Sequence, residues 1–194
     1  MEFLFTADRN SYRRMTTSEL RESYLVDGMF LPGEVTLCYT DIDRAIVGSA
    51  VPLGQPLTLP VHKELASDYF AERREIGIVN IGGSGTIIVD GETYDVDNRD
   101  SLYIGRGSKD VEFRSKSVES PAQYYVLSYP AHAQYPTKLV KQADANRLEL
   151  GSLEECNERV IHQSICPGIV DTCQIVLGFT QLAPGSIWNT MPPH

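Results

Sequence analysis

Thr86-Ile87-Ile88-Val89-Asp90-Gly91-Glu92-Thr93-Tyr94-Asp95-Val96 is the stretch that decides the fold. Two β-rich runs flank Asp90-Gly91, a pair that tolerates the positive φ of a type I′ turn, so the segment predicts a two-residue hairpin. Working outward, short apolar segments recur at 35–40, 45–51, 76–81, 102–104, 111–113 and 123–129, each bounded by turn residues. Many short strands at about 8–12-residue spacing predict a sandwich or small barrel rather than alternating strand–helix units. One closed or nearly closed antiparallel barrel is expected over residues 36–129. One helix is expected too, since Thr16-Thr17-Ser18-Glu19 fits a capping box with Leu20, Tyr24 and Leu25 at helical spacing, ending near Gly28.

Gly82-Gly83-Ser84-Gly85 precedes the hairpin and has two of the glycines of a dinucleotide loop. Such a loop needs a third glycine and a following helix, whereas Thr86 to Val89 is strand-like, so a turn is the reading. Beyond the barrel, the polar stretch 141–158 reads as a linker, and the β pattern resumes at 159–165, 173–180 and 186–190. The chain therefore divides into a unit at 1–146 and the start of a second at 147–194.

With 42% hydrophobic and 22% charged residues among 194, the chain has the composition of a protein that buries a core. A formal net charge of −9 without a Lys/Arg cluster argues against a nucleic-acid partner. An anionic ligand would then need a local cation. Cys38, Cys156, Cys166 and Cys173 are too sparse for a disulfide scaffold and read as reduced core residues. There is no signal-peptide pattern and no apolar run of the ~18–20 residues that span a bilayer, so no membrane partner and a cytoplasmic location are expected.

Of the four histidines, His62 and His162 show no partner pattern and read as structural. His132, in the proline-bounded loop Pro130 to Pro136, reads as bonded to a nearby carbonyl, with a proton-shuttle role as the alternative. Arg44 reads as paired near Asp43, the alternative being a ligand carboxylate. Trp188 reads as packed between barrel layers. The end of the chain, Leu182-Ala183-Pro184-Gly185 through Trp188-Asn189-Thr190-Met191-Pro192-Pro193-His194, reads as a strand, a Pro-Gly turn, a short strand and a histidine. An imidazole at such a place is a candidate ligand for a divalent transition metal.

The blocks Ile42-Asp43-Arg44-Ala45-Ile46-Val47-Gly48, Glu72 through Gly83, Pro130-Ala131-His132, Tyr135-Pro136-Thr137-Lys138 and Leu182 through Pro192 resemble the 4-deoxy-L-threo-5-hexosulose-uronate ketol-isomerase family, also called 5-keto-4-deoxyuronate isomerase. The resemblance covers essentially the whole chain. It implies an all-β bicupin of double-stranded β-helix (jelly-roll) barrels, the first complete and without metal ligands, the second begun in this chain. Worn cupin motifs are consistent with a metal-free first barrel. Glu75 and Gly82 keep the end of the first motif, but no His-x-His precedes them. In the second motif Gly107 remains, Gly105 stands where proline would, and Asp110 takes the histidine's place.

Function follows from the same resemblance. It implies conversion of a deoxy keto uronate in pectin or uronate catabolism, one zinc per subunit with His194 as its first ligand, and a homohexamer. The family's downstream Glu and remaining His ligands lie beyond residue 194, so the chain alone is expected to be metal-poor and inactive. The catalytic acid and base are not assigned. The rival readings are a non-catalytic fragment serving assembly or sugar sensing, and another metal-dependent cupin such as an epimerase or dioxygenase.

Overall fold

Asp90 and Gly91 take φ values of 50° and 88°, and the hairpin they close is the one the sequence predicts. The computed structural model describes residues 1–188. Its strands are β1 (Glu2–Leu4), β2 (Val35–Thr40), β3 (Ile46–Ala50), β4 (Leu57–Thr58), β5 (Arg74–Asn80), β6 (Gly85–Val89), β7 (Glu92–Val96), β8 (Ser101–Ile104), β9 (Val111–Ser115), β10 (Tyr124–Pro130), β11 (Lys138–Val140), β12 (Asn146–Leu150), β13 (Arg159–Ile165) and β14 (Leu177–Leu182). One α-helix, α1 (Thr17–Tyr24), joins them among the described residues.

Strands order as β1-β2-β3-β10-β5-β8-β11 in one sheet, β4-β9-β6-β7 in a second and β12-β13-β14 in a third. Every pairing is antiparallel except β1 with β2. The first two sheets share one core: Leu37, Ile46, Ile76, Ile78, Leu102 and Val126 from one meet Ile87, Val89, Val96, Val111 and Phe113 from the other. Period-2 alternation builds it, as in β6, where Gly85, Ile87 and Val89 are buried while Thr86 and Ile88 are only partly so. β5 departs from this pattern and is buried at all seven positions. Its second face is covered by another cluster, comprising Tyr103, Val140, Ile165, Val170 and Ile175.

The glycine run is a crossing point. A Cβ on Gly83 would stand 2.0 Å from the Ser120 carbonyl oxygen. Asn80 locks the crossing, donating through Nδ2 to the carbonyls of Gly83 and Val96 while Oδ1 accepts from the Gly82 and Gln123 amides.

Four boundaries differ from expectation. α1 carries the full capping box at Thr16 but ends at Tyr24, because Leu25 turns extended. Ile42–Arg44 forms a 3-10 turn with Asp43 and Arg44 at positive φ, so β3 starts at Ile46. The polar linker contains β12, held by its ladder to β13 although all five of its residues are exposed. Finally, β14 begins at Leu177 rather than Cys173, since the amides of 173–175 are engaged elsewhere.

Candidate functional site

The partner of those amides is the carboxylate of Glu75, on the outward face of β5. Its Oε1 accepts from the Gln174 and Ile175 amides at 2.6 and 3.0 Å, and its Oε2 from the Cys173 amide and the Tyr103 hydroxyl, both at 2.8 Å. Glu75 is fully buried. A carboxylate can be buried without cationic help when several N–H and O–H donors converge on it. Burial, and then the bond to Glu75, push the Tyr103 hydroxyl pKa well above its ordinary value. Beside this clasp Gly77 lets the segment 165–177 approach: a Cβ there would lie 2.9 Å from Leu177 Cδ2 and 3.1 Å from Ile175 Cγ2. The segment 165–177 is thus seated on the outer face of the first barrel.

The sheet β12-β13-β14 has two chemically distinct faces, fixed by register. Arg147, His162 and Phe179 lie side by side across the three strands, as do Glu149, Val160 and Gln181. His162 stacks on Phe179 with centroids 4.6 Å apart, and Arg99 donates to Gln181 at 3.2 Å, so this face looks toward the first barrel. On the other face Leu150, Arg159 and Leu182 align, next to Leu148, Ile161 and Thr180. Leu148, Leu150 and Leu182 are each about 40% exposed there, an apolar surface left open. Arg159 donates through Nη1 to the Asn157 carbonyl at 2.8 Å, but its buried Nε has no partner among the described residues. A cleft of about 860 Å³ reaches round the edge of this sheet, lined by Leu150, Arg159 and Leu182 of the open face and also by Arg147, Glu149, His162 and Gln181 of the other face.

Burial, then the nearby cations Arg147 and Arg99, lower the His162 pKa from 6.5. Because the folded value is lower, the folded state binds fewer protons, so this contribution is intact above pH 6.5 and is lost as pH falls below it. We expect the urea midpoint to drop between pH 7.5 and 5.5, and His162→Phe to reduce that drop. An identical pH dependence in the variant would contradict this assignment.

The other sequence-predicted residues scatter. His194 lies outside the described residues. His132 is exposed on the loop after β10, and its side chain makes no hydrogen bond among the described residues, contrary to the carbonyl bond expected. The neighbouring Ala133 amide instead meets Cys173 Sγ at 3.3 Å. Arg44 forms no ion pair among the described residues; its carbonyl accepts from the buried Arg74 at 2.6 Å. Trp188 is 42% exposed, not core, with its indole N–H donating to the Glu155 carbonyl at 2.9 Å. Cys38 and Cys166 are buried, but Cys156 and Cys173 are only half-buried. Asp110 is exposed, and its amide donates to Asp90. No group of three or more His, Cys, Asp or Glu able to hold a metal occurs among the described residues, so these residues by themselves do not fit a zinc ion.

In the sequence Glu75 stands out only as a motif remnant, and Arg159 has no motif around it. A cation heading the apolar run Val160-Ile161 was the available signal for the second. For the first, only the fold reveals which face of β5 is covered.

Two sheets, antiparallel but for the β1–β2 pair, around one core, with a third docked on the outer face, define an all-β, cupin-type protein. The chain belongs to the KduI/IolB family, which it matches over residues 32–194. A protein of Lachnoclostridium phytofermentans named 4-deoxy-L-threo-5-hexosulose-uronate ketol-isomerase is 50% identical over 194 residues, all of this chain and 70% of that protein. One of the same name from Formosa agariphila is 48% identical over 193 residues, covering 69% of its length. Among solved structures, an IolB-like protein from Salmonella typhimurium aligns with a TM-score of 0.48 at 15% identity, over 61% of this chain and 43% of that one. No helix of the described residues is long and apolar enough to cross a membrane.

Proposed function

We propose that the chain is a ketol-isomerase converting 5-dehydro-4-deoxy-D-glucuronate to 3-deoxy-D-glycero-2,5-hexodiulosonate, in the cytoplasmic breakdown of pectin-derived uronates. The observation supporting this reading is the 50% identity across all 194 residues to the relative named for that reaction. The chemistry is an internal exchange: a hydrogen moves from C2 to C1, and the C2 hydroxyl proton passes to the C1 oxygen, so the aldehyde becomes an alcohol and C2 a ketone. The protein must supply a base at the C–H, a proton donor and stabilisation for the enediolate oxygen. A divalent metal supplies that last element when bound. His194 remains the proposed first zinc ligand, and the described residues offer no further ligand set.

The division at residues 146 and 147 belongs to the same reading, with β12-β13-β14 as the opening strands of a second barrel. So does a homohexamer. The open apolar face and the ladder edges of β12 and β14, unpaired among the described residues, are surfaces that other chain or another subunit would cover.

The test is product identity. Carbon NMR of the reaction run by the protein from its complete reading frame is expected to show the aldehyde-derived signal replaced by a hydroxymethyl group and a second ketone, without oxygen uptake. An aldehyde retained beside an inverted centre would make the protein an epimerase, oxygen uptake a dioxygenase, and absence of conversion a binding or assembly module; each overturns the reading.

A further inference from the structure

The geometry points to Arg159 as the residue that receives the substrate's carboxylate, on the open face of the β12-β13-β14 sheet. This rests on the isomerase reading, which requires a uronate, and it assigns the part of the site that distinguishes a uronate from a neutral sugar.

Arg159 stands in register between Leu150 and Leu182, on the face that also carries Leu148 and Ile161. A guanidinium among leucines is costly unless its charge is answered, and here it is answered only in part. Nη1 holds the Asn157 carbonyl, and Nε is buried without a partner among the described residues. Glu149, Glu154 and Glu158 line the same cleft, yet none forms an ion pair with Arg159. The other arginines nearby are occupied: Arg147 pairs with Glu149 at 2.8 Å, and Arg99 holds Gln181. In a chain of net charge −9, an unanswered cation at a cleft is where an anion gains most.

Shape and position agree with that role. The cleft of about 860 Å³ lies within the range of small-molecule sites. Its walls join apolar Leu150, Leu153 and Leu182 to Ser152, Gln181 and the charged Arg147 and Glu149, a mixture suited to a sugar's faces and hydroxyls. A guanidinium's planar fork matches a carboxylate with two parallel N–H···O bonds, which an ammonium does not reproduce. Ala183 and Pro184, just after β14, also border the cleft.

Titration with D-galacturonate, and with D-galactose as the neutral counterpart, tests the assignment without turnover. The unaltered protein is expected to prefer the acid by about 10- to 100-fold, the size of a charge-assisted pair. Arg159→Met, which fills the same space on an apolar face, should bring the two affinities within about twofold. Arg159→Lys should keep part of the preference. Thermal unfolding of each variant checks that the fold survives. If the unaltered protein shows no preference, if Arg159→Met keeps it, or if both sugars weaken equally, the assignment is wrong. Product identity is measured separately, so a protein that isomerises the uronate with its preference intact in Arg159→Met would sink this inference alone. A protein that binds through Arg159 but converts nothing would sink the isomerase reading alone.

Discussion

Glu75→Gln is expected to cost about 3 kcal/mol of unfolding free energy, since hydrogen bonds to a buried charge are the strong ones and their donors are left facing an amide. The carboxylate accepts four bonds, three from consecutive backbone amides 98 to 100 residues away. Glutamine keeps the shape but turns one acceptor into an N–H2 group, which must point at amides that are themselves donors. The loss should be local first. Hydrogen exchange is expected to rise most around Cys173–Ile175 and in β13, while Ile76, Ile78, Ile87 and Phe113, within the barrel core, stay protected until global unfolding. A change below about 0.5 kcal/mol in urea unfolding would show that the clasp contributes little and that the apolar contacts of Ile165, Val170 and Ile175 alone seat the second unit.

How much of this was legible in the sequence depends on the range of the determinant. The hairpin at Asp90-Gly91 and the Thr16 capping box are local, and both form as read, because turn and cap chemistry act over a few residues. Boundaries set by tertiary partners were not legible. Residues from Cys173 looked like strand by composition, but Glu75 takes their amides, and nothing near either end of the chain announces that pairing. β12 was hidden for the opposite reason: all five of its residues are exposed, and only its ladder to β13 makes it a strand. Arg44 and Trp188 were misplaced by the assumption that a residue next to apolar neighbours shares their burial. A positive-φ turn carries the first out of β3, and the second lies against the Glu155 carbonyl at the surface.

The site follows the same rule. His132 and the worn motif positions were conspicuous by residue type, yet His132 and Asp110 are exposed and Glu75 is structural. Arg159, one arginine among several in the sequence, gains meaning only from the register that sets it between two leucines on an open face. Residue type identifies what chemistry is available, but cross-strand register decides which groups can act together.

The proposed reading gives the reaction to residues 147–194 and makes the preceding sheets their scaffold. It is tested most directly by measuring turnover of 5-dehydro-4-deoxy-D-glucuronate by the protein from its complete reading frame, carrying either His194→Ala or Asp110→Ala. A first ligand is expected to be worth at least about 100-fold, more than the outer-shell groups that support one, so His194→Ala should lower turnover by that much together with zinc content. Asp110→Ala, at the exposed end of the first barrel's worn motif, should leave turnover within about twofold. The reverse pattern, with activity lost on changing Asp110 and kept on changing His194, would contradict the account.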